Sequence, residues 1–181
     1  MKAVTGSKGY GLGRLAKDIK REVRAVLEAA YDRYGGKLFQ YALMVLANRE
    51  GAEDAVQQVF GQMTAMGKRV LEIEAMERYL RRAVRNECYK VLKKGQKAEP
   101  MSDGALLVIE DTREGEAEEQ AQIEEILRQL PAEQREVVHL KLYEGRSFRE
   151  MGEMTGVSMN TAASRYRYAM EKLRKVVASD K

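Results

Sequence analysis

The chain has 181 residues, 44% hydrophobic and 33% charged, with a formal net charge of +4: enough for one or two small domains, and a basic excess compatible with a nucleic-acid partner without requiring one. One cysteine, Cys88, excludes an internal disulfide and fits a reducing cytoplasm, and one histidine, His139, far from it in sequence makes no metal-site pattern. No apolar run is long enough to span a membrane, residues 2–15 lack the apolar core of a signal peptide, and two prolines among many Ala, Glu, Leu, Arg and Lys predict an all-α fold.

Residues 1–14, rich in glycine and lysine, are expected to form a flexible basic arm, which reads equally as a phosphate contact and as a solubilising tail. A first helical domain is expected over 15–94. Ile19, Val23, Val26, Leu27 and Ala30 open its apolar stripe, and Leu38, Tyr41, Ala42, Val45 and Leu46 continue it. Gly35-Gly36 between them either interrupts the helix or only weakens it. After a turn over 48–51, a helix starts at Ala52, acid-rich at its N-terminus as the helix dipole prefers. Ala55, Val56, Val59 and Phe60 face inward there, and Asp54, Gln57 and Gln58 outward. Residues 67–74 read as a loop or frayed helix end.

Residues 75–94 form the next helix. Leu80, Val84, Cys88, Val91 and Leu92 make one stripe, widened by Tyr79 and Ala83 and surrounded by Arg78, Arg81, Arg82, Arg85, Lys90, Lys93 and Lys94. Such a basic helix suits phosphates, a membrane surface or an acidic partner. The narrow stripe, already matched by helices to pack on, favours nucleic acid. Residues 95–119 hold Pro100, Gly104 and Gly115, with more acids than bases, and read as an acidic linker. The apolar run Leu106–Ile109 inside it is unusual for a free tether.

A second helical domain is expected over 120–181. A helix over 121–130 turns Ile123, Ile126, Leu127 and Leu130 inward. Pro131 suits the first turn of the next helix, on which Val137, Val138, Leu140, Leu142 and Tyr143 supply the apolar face, with His139 at its edge. Gly145 is a plausible stop, and Ser147 with Glu150 forms a capping box for a short helix through Met151 and Met154. Gly156 breaks it, and Ser158 caps a longer helix with Ala162, Tyr166, Ala169 and Leu173 on one side. Two helices joined by a tight glycine turn are a helix-turn-helix, whose second helix enters the DNA major groove. Asn160, Thr161, Ser164, Arg165 and Arg167 are its outward polar residues, and Arg and Asn pair bidentately with guanine and adenine. The same residues would also suit the solvated face of an ordinary helical hairpin; the caps, the glycine and the polar tip together favour DNA.

This ordered set resembles the sigma-70 family of bacterial RNA polymerase sigma factors, and within it the extracytoplasmic-function (ECF) group. Leu130-Pro131, Tyr143-Glu144-Gly145, Ser158, Thr161, Ser164-Arg165 and Glu171–Arg174 match the family's region 4 in order, with Ala162-Ala163 where the family commonly has Val-Lys. Asp54, Gln57, Gln58 and Val59-Phe60 resemble region 2, as does the Arg85-Asn86 pair, and Tyr79 stands where a tryptophan is common. The resemblance implies two helical domains and a dissociable subunit that directs polymerase to promoters and assists strand opening. Asp54, Gln57 and Gln58 would meet core polymerase at its β′ clamp helices, and the second domain its β flap. Arg78, Arg81, Arg82, Arg85 and Asn86 would hold the minus-ten element, near a loop at Lys68–Leu71 that receives a flipped base. Ser158, Asn160, Thr161, Ser164, Arg165 and Arg167 would hold the minus-thirty-five element. An anti-sigma factor is a further candidate partner. No cofactor, metal or membrane is implied, and no catalytic residue: the sequence shows no nucleophile with a base, no metal cluster and no phosphate-binding glycine loop. The alternative is a helix-turn-helix regulator that acts without polymerase, in which the Asp54 helix would be idle.

Overall fold

Apolar residues recurring every three or four positions from Ile19 to Leu46 hold together one helix, α1 (Lys8–Leu46), which runs through Gly35 and Gly36 without a break. The computed structural model describes residues 8–95 and 129–179, with side chains from 17 to 95 and from 129 to 175. Helix α1 begins at Lys8, inside the segment expected to be a flexible arm; residues 1–7 lie outside the described part. A Cβ on Gly35 would rest in ordinary contact with the Tyr31 ring, 3.4 Å away. Two glycines cost the helix roughly 1 kcal/mol each, which burial of the stripe on either side offsets.

The chain reverses at Ala47, whose φ of 51° is left-handed, and at Asn48, whose side chain accepts the Gly51 amide at 2.6 Å. This cap starts α2 (Arg49–Met66) a turn earlier than expected. Ala52, Ala55, Val56, Val59 and Met63 are its buried face. A 3₁₀ turn over Gly67–Glu72 buries Val70 and leads into α3 (Met76–Gly95), where Leu80, Val84 and Cys88 are buried at a spacing of four. Helices α1, α2 and α3 pack against one another.

The expected helix over 121–130 and the linker beyond Gly95 lie outside the described residues, except for Gln129 and Leu130. Pro131 is the N-cap of α4 (Ala132–Leu142), just ahead of the first turn in which it was expected. The apolar face of α4 is narrower than its sequence implies. Val137, Val138 and Leu140 are buried, whereas Leu142 and Tyr143, expected inward, are 57% and 68% exposed. Leu142 ends the helix and lies off the stripe through Val137 and Leu140. Helix α5 (Phe148–Thr155) carries the full capping box: Ser147 Oγ accepts from the Glu150 amide, and Glu150 accepts from the Ser147 amide at 2.8 Å. Gly156 closes α5 at φ 75°, and α6 (Met159–Ser179) follows, with Ala162 and Ala169 buried against α4 and α5. The described residues are all-α, as expected.

The two halves share a core. Val137, Leu140, Met151 and Ala162 belong to the same buried cluster as Tyr41, Ala42 and Leu80, because α4 packs along α1.

Candidate nucleic-acid interface

The tip of α6 is built locally. Ser158 Oγ accepts the Thr161 amide at 3.0 Å and shares a hydrogen bond of 2.8 Å with the Thr161 hydroxyl. Two of the expected DNA contacts are thus engaged with each other as the helix cap, though both stay exposed. Asn160 and Arg167 are exposed, and Ser164 and Arg165 are half-buried along the same helix. The turn before the tip depends on Gly152. A Cβ there would lie 2.7 Å from the Val157 carbonyl, so only glycine lets α5 sit this close to the turn. Gly152 is a residue the sequence reading missed.

The second basic surface lies on α3. Arg78, Arg82 and Asn86 are exposed as expected, whereas Arg81 and Arg85 are drawn into the second domain. Arg85 Nε donates to Glu136 Oε1 at 2.7 Å and its Nη2 to Oε2 at 3.3 Å, while its guanidinium lies over the Tyr89 ring. The Tyr41 and Tyr89 hydroxyls donate to the same carboxylate, whose side chain is 1% exposed. Burial, then the Glu136 charge, pushes the Tyr41 phenol well above its ordinary value, and the same two causes raise Tyr89. Both hydroxyls therefore remain protonated donors.

One turn earlier, Arg81 donates to Glu144. Arg146 Nε lies 3.3 Å and His139 Nε2 3.5 Å from the same carboxylate. Burial alone would raise the Glu144 pKa, but hydrogen bonds and charge from His139 and Arg81 outweigh it and hold it at about 2. His139, expected at a helix edge, is buried, stacked on Tyr143 with centroids 5.3 Å apart and edge-on to Tyr41 at 5.8 Å. A third tie comes from Arg135, which donates to the carbonyls of Leu130, Met44 and Val45 at 2.6, 3.0 and 2.6 Å. Two of those carbonyls end α1, where the helix dipole favours a cation.

All five residues expected to hold the minus-ten element therefore line one cleft of about 410 Å³. Its opposite wall is Glu136, Leu140, Glu153, Met154, Thr155 and Gly156 of the second domain. Glu136, Tyr89 and Arg135 were not singled out from sequence, and Tyr41 and Glu144 were read only as part of an apolar stripe and of the Tyr143-Glu144-Gly145 run. A signal was present: Arg135-Glu136 is a charged pair set within the apolar face of a helix, where charge is rarely buried without a partner. Elsewhere Asp54, Gln57 and Gln58 are exposed on α2, with Arg49 and Glu53 paired beside them at 3.0 Å. In the expected base-receiving loop, Lys68, Arg69 and Leu71 are exposed, whereas Val70 is buried. Among the described residues no cluster of side chains could hold a metal ion, and no helix is long and apolar enough to cross a membrane.

Residues 120–173 match the family model for sigma-70, region 4. Among solved structures the chain is similar to the sigma factor RpoE, determined in complex with the anti-sigma factor NepR, from Bartonella quintana. The two are 24% identical with a TM-score of 0.60, over 91% of this chain and 99% of that one. The comparison with curated proteins finds no match.

Proposed function

We infer that this chain, a sigma-70 family member of the extracytoplasmic-function group, is a dissociable subunit that directs bacterial RNA polymerase to promoters and assists strand opening. The observation that carries this is the coincidence of the region 4 match with a capped helix-turn-helix whose second helix presents Asn160, Thr161 and Arg167 to solvent. Helix α6 reads the minus-thirty-five element in the major groove, with Arg165 and Asn160 on base edges. Helix α3 holds the minus-ten strand through Arg78, Arg81, Arg82, Arg85 and Asn86. Asp54, Gln57 and Gln58 of α2 meet the β′ clamp helices of core polymerase, and the second domain meets the β flap.

The protein itself performs no covalent chemistry and needs no cofactor. Its work is phosphate contact, base contact and capture of unstacked bases, set against the cost of melting. It acts in the cytoplasm, and an anti-sigma factor, such as the partner of the similar RpoE, is a partner proposed for it as well. The match in fold extends through the first domain, which a regulator acting without polymerase would not need. Co-purification with core polymerase followed by run-off transcription is the test. Failure to bind core, with binding to duplex DNA intact, would return the chain to the regulator class.

A further inference from the structure

A groove of about 910 Å³ runs between the first half of α1 and the end of α2, and the proposed function gives it no role. Ile19, Val23, Leu27 and Tyr31 line it at a spacing of four along α1. Phe60 faces them from α2, edge-on to Tyr31 with ring centroids 5.2 Å apart. Gly61, Thr64 and Gly67 make the rest of the α2 side, and a Cβ on Gly61 or Gly67 would meet nothing within 4 Å. The floor is therefore apolar, and the groove is open where side chains would otherwise fill it. An apolar surface rimmed by polar residues marks a site of contact. One end of the rim is basic: Lys20 and Lys68 are exposed there, whereas Arg24 is already paired with Glu28 at 2.7 Å.

One stretch of the chain has the matching chemistry. Leu106-Leu107-Val108-Ile109, outside the described residues, is an apolar run in a polar linker, and Glu110-Asp111 follow it directly. Apolar side chains gain by leaving water for such a floor. The dimensions agree. Residues 106–111 extend to about 20 Å, against about 18 Å along α1 from Tyr31 to Ile19. The chain also reaches at both ends. Tyr89 and Tyr41 bond the same carboxylate, so α3 and α1 are level there, and Gly95 lies about 9 Å further on. Tyr31 is about 15 Å back along α1 from Tyr41. The stretch from Gly95 to Leu106 spans up to roughly 36–40 Å, enough to cover both and the width of a helix. On the return, Met44 packs against the cluster that holds Leu130, about 38 Å along α1 from Ile19. Residues 110–129 span up to roughly 66–72 Å. A run that enters at the Tyr31 end arrives at Ile19 with its acidic pair beside Lys20 and Lys68.

We propose that Leu106–Ile109 of the chain's own linker seats in the groove between α1 and α2 in the free protein, with Glu110 and Asp111 against Lys20 and Lys68. The tether keeps the run at a high effective concentration beside the groove, so a contact too weak to hold a separate peptide suffices here. The proposal is independent of the polymerase reading, since it uses neither DNA-facing helix.

The chain holds no tryptophan, so a single introduced one reports its own surroundings. Leu107→Trp and Val108→Trp, made separately in the full chain, sample both alternations of the run. Each is compared with the same reporter carrying Gly61→Glu/Thr64→Glu, at two exposed positions where the new side chains fill the groove and repel Glu110 and Asp111. The expected result, for at least one reporter, is emission at shorter wavelength than in its filled counterpart. Its acrylamide quenching constant should also be lower by at least about two-fold, as for a run seated half of the time or more. Equal quenching with and without the filling pair, at both positions, overturns the proposal, whether the run is exposed throughout or seated elsewhere. A difference that appears only as protein concentration rises gives the groove to the linker of a second copy, and overturns it too. Should the filling pair lower the thermal midpoint, Lys20→Glu/Lys68→Glu decides in its place. Both lysines are exposed, and reversing the basic end should shift the quenching in the same direction by less; no shift overturns the proposal.

Discussion

Arg85 and Glu136, 51 residues apart in the chain, meet with Nε 2.7 Å from Oε1, and the Glu136 carboxylate is 1% exposed. The pair joins the helix assigned to the opened strand to the domain assigned to the upstream element. It makes domain arrangement and DNA access one problem. Burial works against the Arg85 charge, but the Glu136 hydrogen bond and charge raise its pKa above the ordinary arginine value, so the guanidinium stays charged.

The neighbouring pair gives a pH prediction. Glu144 is held at about 2 in the folded protein, against an ordinary value of 4.5. A carboxyl with a depressed folded pKa contributes stability above its unfolded pKa and loses it as pH falls toward the folded one. The groups that face Glu144 are Arg81 of α3, His139 of α4 and Arg146 of the following turn. The wild type should therefore be more stable than Glu144→Gln at pH 6, and the gap should shrink steadily from about pH 4.5 downward. Urea denaturation of both proteins between pH 6 and pH 3 measures this. A gap that does not change with pH would show that the ion pair contributes nothing net.

Gly152 makes a prediction about the helix-turn-helix. A Cβ would stand 2.7 Å from the Val157 carbonyl and 3.2 Å from the Met159 amide, both backbone atoms that cannot swing away. Gly152→Ala should cost about 1–3 kcal/mol, as overpacking of a close contact does. It should also tilt α6 and weaken duplex binding beyond the loss of folded protein. Chemical denaturation and duplex titration at a temperature where the variant is fully folded separate the two effects. Wild-type stability in the variant would mean that the turn is looser than the geometry states.

Asp54 and Gln57 are exposed on α2, and nothing in the fold requires them. Their joint change to Ala should leave the thermal midpoint nearly unchanged, since exposed substitutions usually stay within about 0.5 kcal/mol. Co-elution with core polymerase should fall. A large loss of midpoint with core binding intact would make these residues structural.

The two DNA surfaces should separate by template. Arg82 and Asn86 are exposed on α3, beside Arg81 and Arg85, which pair with Glu144 and Glu136, and Arg165 lies between one and two turns into α6. Arg82→Ala/Asn86→Ala should lower abortive transcription from a duplex promoter far more than from one already mismatched at the minus-ten element, because a bubble removes the melting cost. Arg165→Ala should weaken binding of upstream duplex by about 1–3 kcal/mol and relax preference at one base position. Equal impairment of the α3 variant on duplex and bubble would mean that the helix holds strand without assisting opening.

What the chain states by itself is whatever its neighbours within a turn or two decide. The Ser147–Glu150 box, the left-handed Gly156, the Ser158 cap and the outward Asp54, Gln57 and Gln58 all follow from contacts three or four residues apart, and periodicity reads them directly. Gly35-Gly36 left the course of α1 open, and burial along the stripe on both sides decided for a continuous helix. The fate of Arg81, Arg85 and Glu136 could not be read this way. A basic face on α3 looks the same in sequence whether water, DNA or a carboxylate covers it. The partner that covers it lies 51 residues away for Arg85 and 63 for Arg81, and Tyr41 reaches Glu136 across 95. Local pattern sets which side of a helix is apolar and which is charged. Only the packing of α4 along α1 decides which charges meet, because a buried ion pair exists only where two distant segments place opposite charges within hydrogen-bond reach and exclude water from both.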